Sequence, residues 1–299
     1  MEKGTAMSHV LKVTDLCKSY GQFALDHISF DIPEGCVIGF IGGNGAGKTT
    51  IIKSLLGLVA PESGSIELFG QSVELGNIAG KDKERIGCVL DTIAFPSDCL
   101  VSDIGLLGKT SYDNWDGALF ASLLESFGIE AKKKIKSLSR GMGMKLQLAF
   151  SLSHHPDLLI LDEATAGLDP LAREETLALL RSFMEEEDHA ILLSSHITTD
   201  LEKIADYVIC IDDGKLIFSR TIEEICDTAG IARCRSAEAN QLIEAGLFEP
   251  GSLRILRENY RTDVLIPERA KAAAALPSIT CDRANLEDYM RLMLKGEIR

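Results

Sequence analysis

The sequence predicts an α/β fold on a mostly parallel sheet, with antiparallel strands at its start and a smaller α/β unit at its end. Three observations predict it. Val10-Leu11-Lys12-Val13 and Ile28-Ser29-Phe30-Asp31-Ile32 alternate apolar and polar residues, the period of half-buried antiparallel strands. Continuous apolar runs at 36–41 and 158–161 suit parallel strands covered on both faces. Between the first of these runs and a helix over about 48–58 lies a glycine-rich loop. That order, strand then loop then helix, is the supersecondary unit that cradles phosphate.

The elements follow in order. Pro33-Glu34-Gly35 turns the second alternating segment into the run at 36–41. Residues 66–69 and 86–90 read as two more strands. From about 97 to 152 the pattern turns helical: Trp115, Leu119, Leu123 and Phe127 fall four apart and join Phe120 and Leu124 in a broad apolar face, which suits core packing. The strand at 158–161 follows Pro156-Asp157; a helix over about 171–187, a strand at 190–193, a helix at 199–205 and a strand at 207–211 complete the core. Asp212-Asp213-Gly214 makes a tight hairpin into 215–218. Residues 221–299 read as an α/β appendage, with strands near 231–234, 252–256 and 263–266, an Ala-rich helix at 270–276 and a closing helix at 286–294.

Composition narrows the function. A net charge of −14 over 299 residues opposes a nucleic-acid binder, which needs clustered Lys and Arg against phosphate. The one basic run, Lys132 to Lys134 with Lys136, is too short to offset that balance. No uninterrupted apolar stretch reaches the ~18–20 residues needed to cross a bilayer, and the opening MEKGTAMSHV has no signal-peptide core. The expectation is a cytoplasmic protein that serves a membrane only through a partner. The eight cysteines form no CxxC pair and lie beside no His at ligand spacing, so they read as reduced, partly buried thiols.

Two motifs carry chemistry without reference to any family. Gly42-Gly43-Asn44-Gly45-Ala46-Gly47-Lys48-Thr49 fits G-x-x-x-x-G-K-[ST]. Its glycines let successive backbone N–H groups face a polyphosphate, and the following helix, entered through Thr49 and Thr50, adds its positive end. Lys48 reaches the β- and γ-phosphates of ATP, and the Thr49 hydroxyl ligates Mg²⁺. The second motif is the apolar run 158–161 ending in Asp162 and Glu163. An acidic pair after a strand is ordinarily a solvated turn, but a phosphate loop requires such a partner. Asp162 is placed to hold the Mg²⁺ shell, and Glu163 to accept a proton from the attacking water.

Leu138-Ser139-Arg140-Gly141-Met142, ahead of a helix over about 143–153, resembles the signature of the ABC ATPases, usually LSGGQ. The resemblance covers roughly residues 10–220, and its branch is that of bacterial transporters handling antibiotics or small metabolites, whose signature often reads LSKGM. It implies a P-loop NTPase core with an antiparallel β-subdomain and an inserted helical subdomain at about 92–153. The ATPase domain would occupy 8–220 and an accessory domain 221–299. Ser139 and Gly141 would bind the γ-phosphate of ATP held by a second subunit. Arg140 stands where Gly is usual. Tyr20 resembles the aromatic that stacks on adenine, Asp169 the D-loop aspartate, and His196 the histidine that contacts the γ-phosphate and positions the water. Asp91 stands where the family has a metal-bonding Gln, and Ala164 where it has Pro.

The function implied is an ATPase that closes head to tail with a second ATP-binding subunit and powers transport, in the export direction, through separate membrane subunits at the inner face of the cell membrane. DNA-repair ATPases of this fold carry long heptad coiled coils, and ribosome-acting ones carry two ATPase units on one chain; neither feature is present. A nucleotide kinase or GTPase has no use for the signature or D-loop. A non-catalytic regulatory subunit is the remaining rival, on account of Asp91 and Arg140.

Overall fold

The computed structural model describes residues 8–259 and 261–299. Residues 1–7, on which the leader-free reading partly rests, lie outside the described residues.

The chain opens with β1 (His9–Tyr20) and β2 (Phe23–Pro33), then β3 (Val37–Ile41), α1 (Lys48–Leu55), β4 (Ser63–Leu68), β5 (Gln71–Val73), α2 (Gly80–Lys83) and β6 (Ile86–Val89). Three helices follow, α3 (Val101–Ser111), α4 (Gly117–Ser126) and α5 (Arg140–Leu152). The core is completed by β7 (Leu158–Asp162), α6 (Pro170–Phe183), β8 (Ala190–Ser194), α7 (Thr198–Ile204), β9 (Tyr207–Asp212) and β10 (Lys215–Thr221). β2, β1, β4 and β5 form an antiparallel sheet in that order; β10, β9, β3, β8, β7 and β6 form the central sheet, parallel except for the β10 edge.

β3, β7 and β8 are buried along their whole length, which is why their sequences are unbroken apolar runs. Successive residues still point to opposite faces. Val37, Ile41, Leu159, Leu161, Ile191 and Leu193 join a core with α4, α5 and α7, whereas Ile38, Phe40, Leu158, Ile160, Ala190 and Leu192 join one with α1 and the antiparallel sheet. Two cores on one sheet hold β3, β8 and β7 side by side, so the loops leaving their carboxyl ends must converge.

Two expectations are corrected. The signature helix begins at Arg140 rather than Gly143, because Ser139 caps it: the Ser139 Oγ accepts from the Met142 amide at 3.2 Å. Trp115 precedes α4 instead of lying on its apolar stripe. Asp116 is the N-cap, accepting from the amides of Ala118 and Leu119, and the freed indole packs on Phe120 and Phe150 at centroid distances of 5.2 Å.

Beyond Thr221 come β11 (Gly230–Cys234), α8 (Ser236–Glu244), β12 (Arg254–Arg257), β13 (Thr262–Ile266), α9 (Arg269–Ala275), β14 (Cys281–Arg283), α10 (Leu286–Lys295) and β15 (Glu297–Ile298). Their sheet runs β14-β11-β13-β12-β15, all antiparallel. Up to β14 this is the split βαβ arrangement, β-α-β-β-α-β, of ferredoxin-like units. α8 and α9 cover one face through Ala239, Leu242 and Ala272, and α10 covers the other through Leu292. α10 also packs on the preceding core. The Leu286 amide donates to Glu202 at 2.7 Å, and Tyr289 meets Phe218 edge-on at 5.2 Å.

Candidate functional site

The loop between β3 and α1 is shaped by what crowds it. A Cβ on Gly42 would stand 2.1 Å from the backbone oxygen of Ile211. One on Gly47, where φ is 116°, would stand 2.6 Å from Leu25 Cδ2. Glycine is required at both positions, by close approach at one and by left-handed backbone as well at the other. We therefore expect Gly42→Ala to lower stability by about 2–4 kcal/mol, since the contact is with backbone that cannot rotate away. Chemical denaturation of the two chains checks this.

Lys48 opens α1 and is 7% exposed; its Nζ donates to the carbonyls of Gly42 at 2.6 Å and Gly43 at 3.2 Å. The ammonium is thus held directly over the loop. The Thr49 Oγ1 donates to Asp162 Oδ2 at 2.9 Å, tying α1 to the end of β7. Asp162 is 2% exposed, and among the described residues its Oδ1 has no hydrogen-bond partner. A buried carboxylate oxygen without a donor is costly unless a cation or donor meets it. A hydroxyl and a carboxylate with one oxygen unspent are hard ligands of the kind Mg²⁺ takes beside phosphate. The residues present fit that ion.

Glu163 follows immediately, in left-handed backbone at φ 55°. That region is uncommon for a residue with a side chain, and such backbone gathers at functional sites. Its amide donates to the Ser194 carbonyl at 3.0 Å, so β8 fixes the turn. The effect is to aim the carboxylate at His196, just past β8: Glu163 Oε2 lies 2.6 Å from His196 Nδ1. Glu163 is the more enclosed of the two, its side chain 18% exposed against 60% for the imidazole.

All of these side chains but His196 line one cleft of about 500 Å³, formed by the loop from Gly43 to Thr50, including Asn44, Gly45 and Ala46, with Phe23, Asp91, Asp162 and Glu163. His196 faces an adjoining hollow formed by Gly42, Asn44, Ser195, Thr198 and Met290 of α10. Tyr20 is exposed beneath the Lys18 ammonium, and the aromatic that lines the cleft is Phe23, its partner across the β1–β2 turn. Sequence reading passed over Phe23; its signal was an aromatic in register with Tyr20, three residues on.

Ser139, Gly141 and Asp169 lie elsewhere. Ser139 caps α5, and Gly141 packs beside Leu168, where a Cβ would come within 3.0 Å of Leu168 Cδ2. The Asp169 carboxylate caps α6, accepting from the amides of Ala172 at 3.0 Å and Leu171 at 3.1 Å. Those hydrogen bonds, Ala172's foremost, hold its carboxyl below the usual range and keep it ionised. None of the three lines the cleft of its own chain. Asp91 does, but its carboxylate is engaged by the Arg140 guanidinium.

Comparison with known proteins places the chain among relatives. A family model described as "ABC transporter" matches residues 25–166. "Bacitracin transport ATP-binding protein BcrA" of Bacillus licheniformis is 39% identical over 225 residues, covering 71% of this chain and 69% of that protein. The protein of the same description from Enterococcus faecalis is 28% identical over 308 aligned positions, 97% of this chain and 98% of that one. Among solved structures, one titled "Structure of ATP binding subunit of ABC transporter" superposes with a TM-score of 0.66 at 26% identity, covering 72% of this chain and 91% of that one.

Proposed function

The chain belongs to the ABC transporter family, and from that membership we infer that it binds and hydrolyses ATP to power transport through separate membrane subunits. The observation that carries the mechanism is the meeting, at three adjacent strand ends, of Lys48, the Thr49–Asp162 pair and the Glu163–His196 pair.

The triphosphate of ATP lies along the loop from Gly42 to Thr50, its charge met by backbone N–H groups, the α1 N-terminus and Lys48. Thr49 and Asp162 would hold Mg²⁺, which when bound neutralises charge on the β- and γ-phosphates. Glu163 accepts a proton from a water as the water oxygen bonds to the γ-phosphorus. The bond from that phosphorus to the β–γ bridging oxygen breaks, leaving ADP and phosphate. His196, on the Glu163 carboxylate, orients the water and the γ-phosphate. Phe23 and Tyr20 flank the entrance at which the adenine stacks. Ser139, Gly141 and Asp169 act in trans: two subunits close head to tail, and the signature of each completes the site of the other.

Two further readings belong with this one. Residues 8–220 serve as the ATPase unit and 221–299 as an accessory module. The protein works in the cytoplasm, peripheral on the inner face of the membrane; no helix among the described residues is long and apolar enough to cross it. The descriptions of the BcrA relatives, which name bacitracin transport, support an antibiotic-type cargo, and we read its movement as export.

Asp162→Asn tests the metal assignment. It should raise the Mg²⁺ concentration for half-maximal ATP binding by about 10–100-fold, the range seen when a group around a metal is altered. Fluorescent-nucleotide binding titrated with Mg²⁺ measures it; an unchanged requirement places the metal elsewhere.

A further inference from the structure

A departure from the family pattern, Asp91, meets in space the cation that this branch carries in its signature, Arg140. Asp91, in the Gln position after β6, and Arg140, in a Gly position of the signature, are separated by 49 residues, yet their side chains form an ion pair. Asp91 also lines the nucleotide cleft, close to the loop and to Glu163. The Arg140 stem lies beside the D-loop, where a Cβ on Gly167 would stand 3.6 Å from Arg140 Cδ. One side chain therefore joins the signature, the D-loop and the mouth of the cleft.

The pair's exposure decides what it can do. The side chains are 56% and 50% exposed, and exposed ion pairs add little to folding stability. Charge at the cleft is another matter. A neutral Gln adds none there, whereas a lone Asp91 sets a carboxylate beside a polyanion. A guanidinium bound to that carboxylate cancels it, so the Asp–Arg pair brings no net charge to the mouth of the cleft. Arg can also hold a carboxylate in a fixed orientation, which Lys does less well.

We propose that Asp91 and Arg140 are one compensated unit, in which Arg140 is a positioning residue. It neutralises and orients Asp91 at the mouth of the nucleotide cleft, and ties the signature to the loop after β6. This rests on the ATPase reading above. Removal of Arg140 alone leaves an uncompensated negative charge facing the triphosphate, while removal of both restores neutrality.

The test uses the full chain as wild type, Arg140→Gly, Arg140→Lys, Asp91→Gln and the double variant Asp91→Gln/Arg140→Gly, with Lys48→Ala as control. Steady-state ATPase is measured at about 0.05 M and about 0.5 M salt, where the Debye length falls from roughly 14 Å to roughly 4 Å. Arg140→Gly should raise KM for ATP by about fivefold with a smaller change in kcat, and high salt should shrink that rise. Arg140→Lys should recover most of the loss. The double variant should return KM to within about twofold of wild type, a coupling of the size neighbouring groups show. If the single effects simply multiply in the double variant, or the Arg140→Gly defect is insensitive to salt, the pair is not a unit and the proposal is overturned. If Lys48→Ala binds MgATP as wild type does, the underlying ATPase reading falls and the proposal with it. Dependence on Lys48 with independent effects at 91 and 140 overturns the pairing alone.

Discussion

Lys48→Ala is expected to abolish tight MgATP binding. The ammonium is the one cationic side chain lining the cleft among the described residues, held over the loop by the carbonyls of Gly42 and Gly43. Its removal takes away at least two charge-assisted contacts to the β- and γ-phosphates and leaves two carbonyl oxygens turned toward a polyanion. At ~1.5 kcal/mol or more per charge-assisted hydrogen bond, the loss is at least about 100-fold in affinity. The fold should survive, because Lys48 stands at the first position of α1, where Ala is the best helix former. Isothermal titration calorimetry with MgATP measures the effect. Unchanged affinity would remove the phosphate-loop assignment, and with it everything built on the cleft.

Glu163→Gln is expected to separate binding from hydrolysis. The substitution preserves size, the left-handed turn at position 163 and an oxygen acceptor toward His196 Nδ1, so ATP should bind as before. An amide cannot take the proton of the attacking water, and general-base contributions are typically ~10²–10⁴-fold, which is the expected fall in kcat. With hydrolysis slowed, the closed pair of subunits should accumulate, visible as an ATP-dependent dimer on gel filtration. ADP should not support it, because the γ-phosphate that links the loop of one subunit to Ser139 and Gly141 of the other is missing. Turnover close to wild type would mean that the base lies elsewhere; the group nearest to hand is His196, whose ring nitrogen is 2.6 Å from the Glu163 carboxylate. The two variants together are more informative than either alone. Lys48→Ala loses the ligand, whereas Glu163→Gln keeps it and loses the reaction.

What the sequence by itself determined had local causes, though two local helix caps, at Asp116 and Ser139, moved helix starts that periodicity placed elsewhere. The loop from Gly42 to Thr49 was legible because glycines, Lys and Thr at fixed spacing are demanded by one short turn against phosphate. Asp162 and Glu163 were legible because a five-residue buried strand announces itself as unbroken apolar sequence, and its carboxyl end follows directly. His196 was legible for the same reason, one strand over. The signature and D-loop residues needed the family resemblance, since each looks like an ordinary helix cap, and within one chain Ser139 and Asp169 do cap helices.

Tertiary structure decided the rest. The meeting of Asp91 with Arg140 depends on how α5 packs against β6, and no local pattern records a pair 49 residues apart. Phe23 lines the cleft beside the loop because the β1–β2 turn pairs it with Tyr20, a matter of register that alternation alone leaves open. Trp115 left its helical stripe for a local reason, the Asp116 cap on α4, since a capping preference of about 1 kcal/mol outweighs one residue of periodicity; its seat against Phe150 of α5 is the tertiary part. In the last 79 residues, strands of two to five residues and the helix α8 carry too little periodic signal to fix an order. Only side-by-side pairing established the sheet β14-β11-β13-β12-β15. The same pairing turned the amphipathic α10, visible in the sequence as a closing helix, into the element that seats Met290 beside His196. Short-range chemistry is written in spacing along the chain; long-range contacts arise only when two cores form on opposite faces of one sheet and bring its strand ends together.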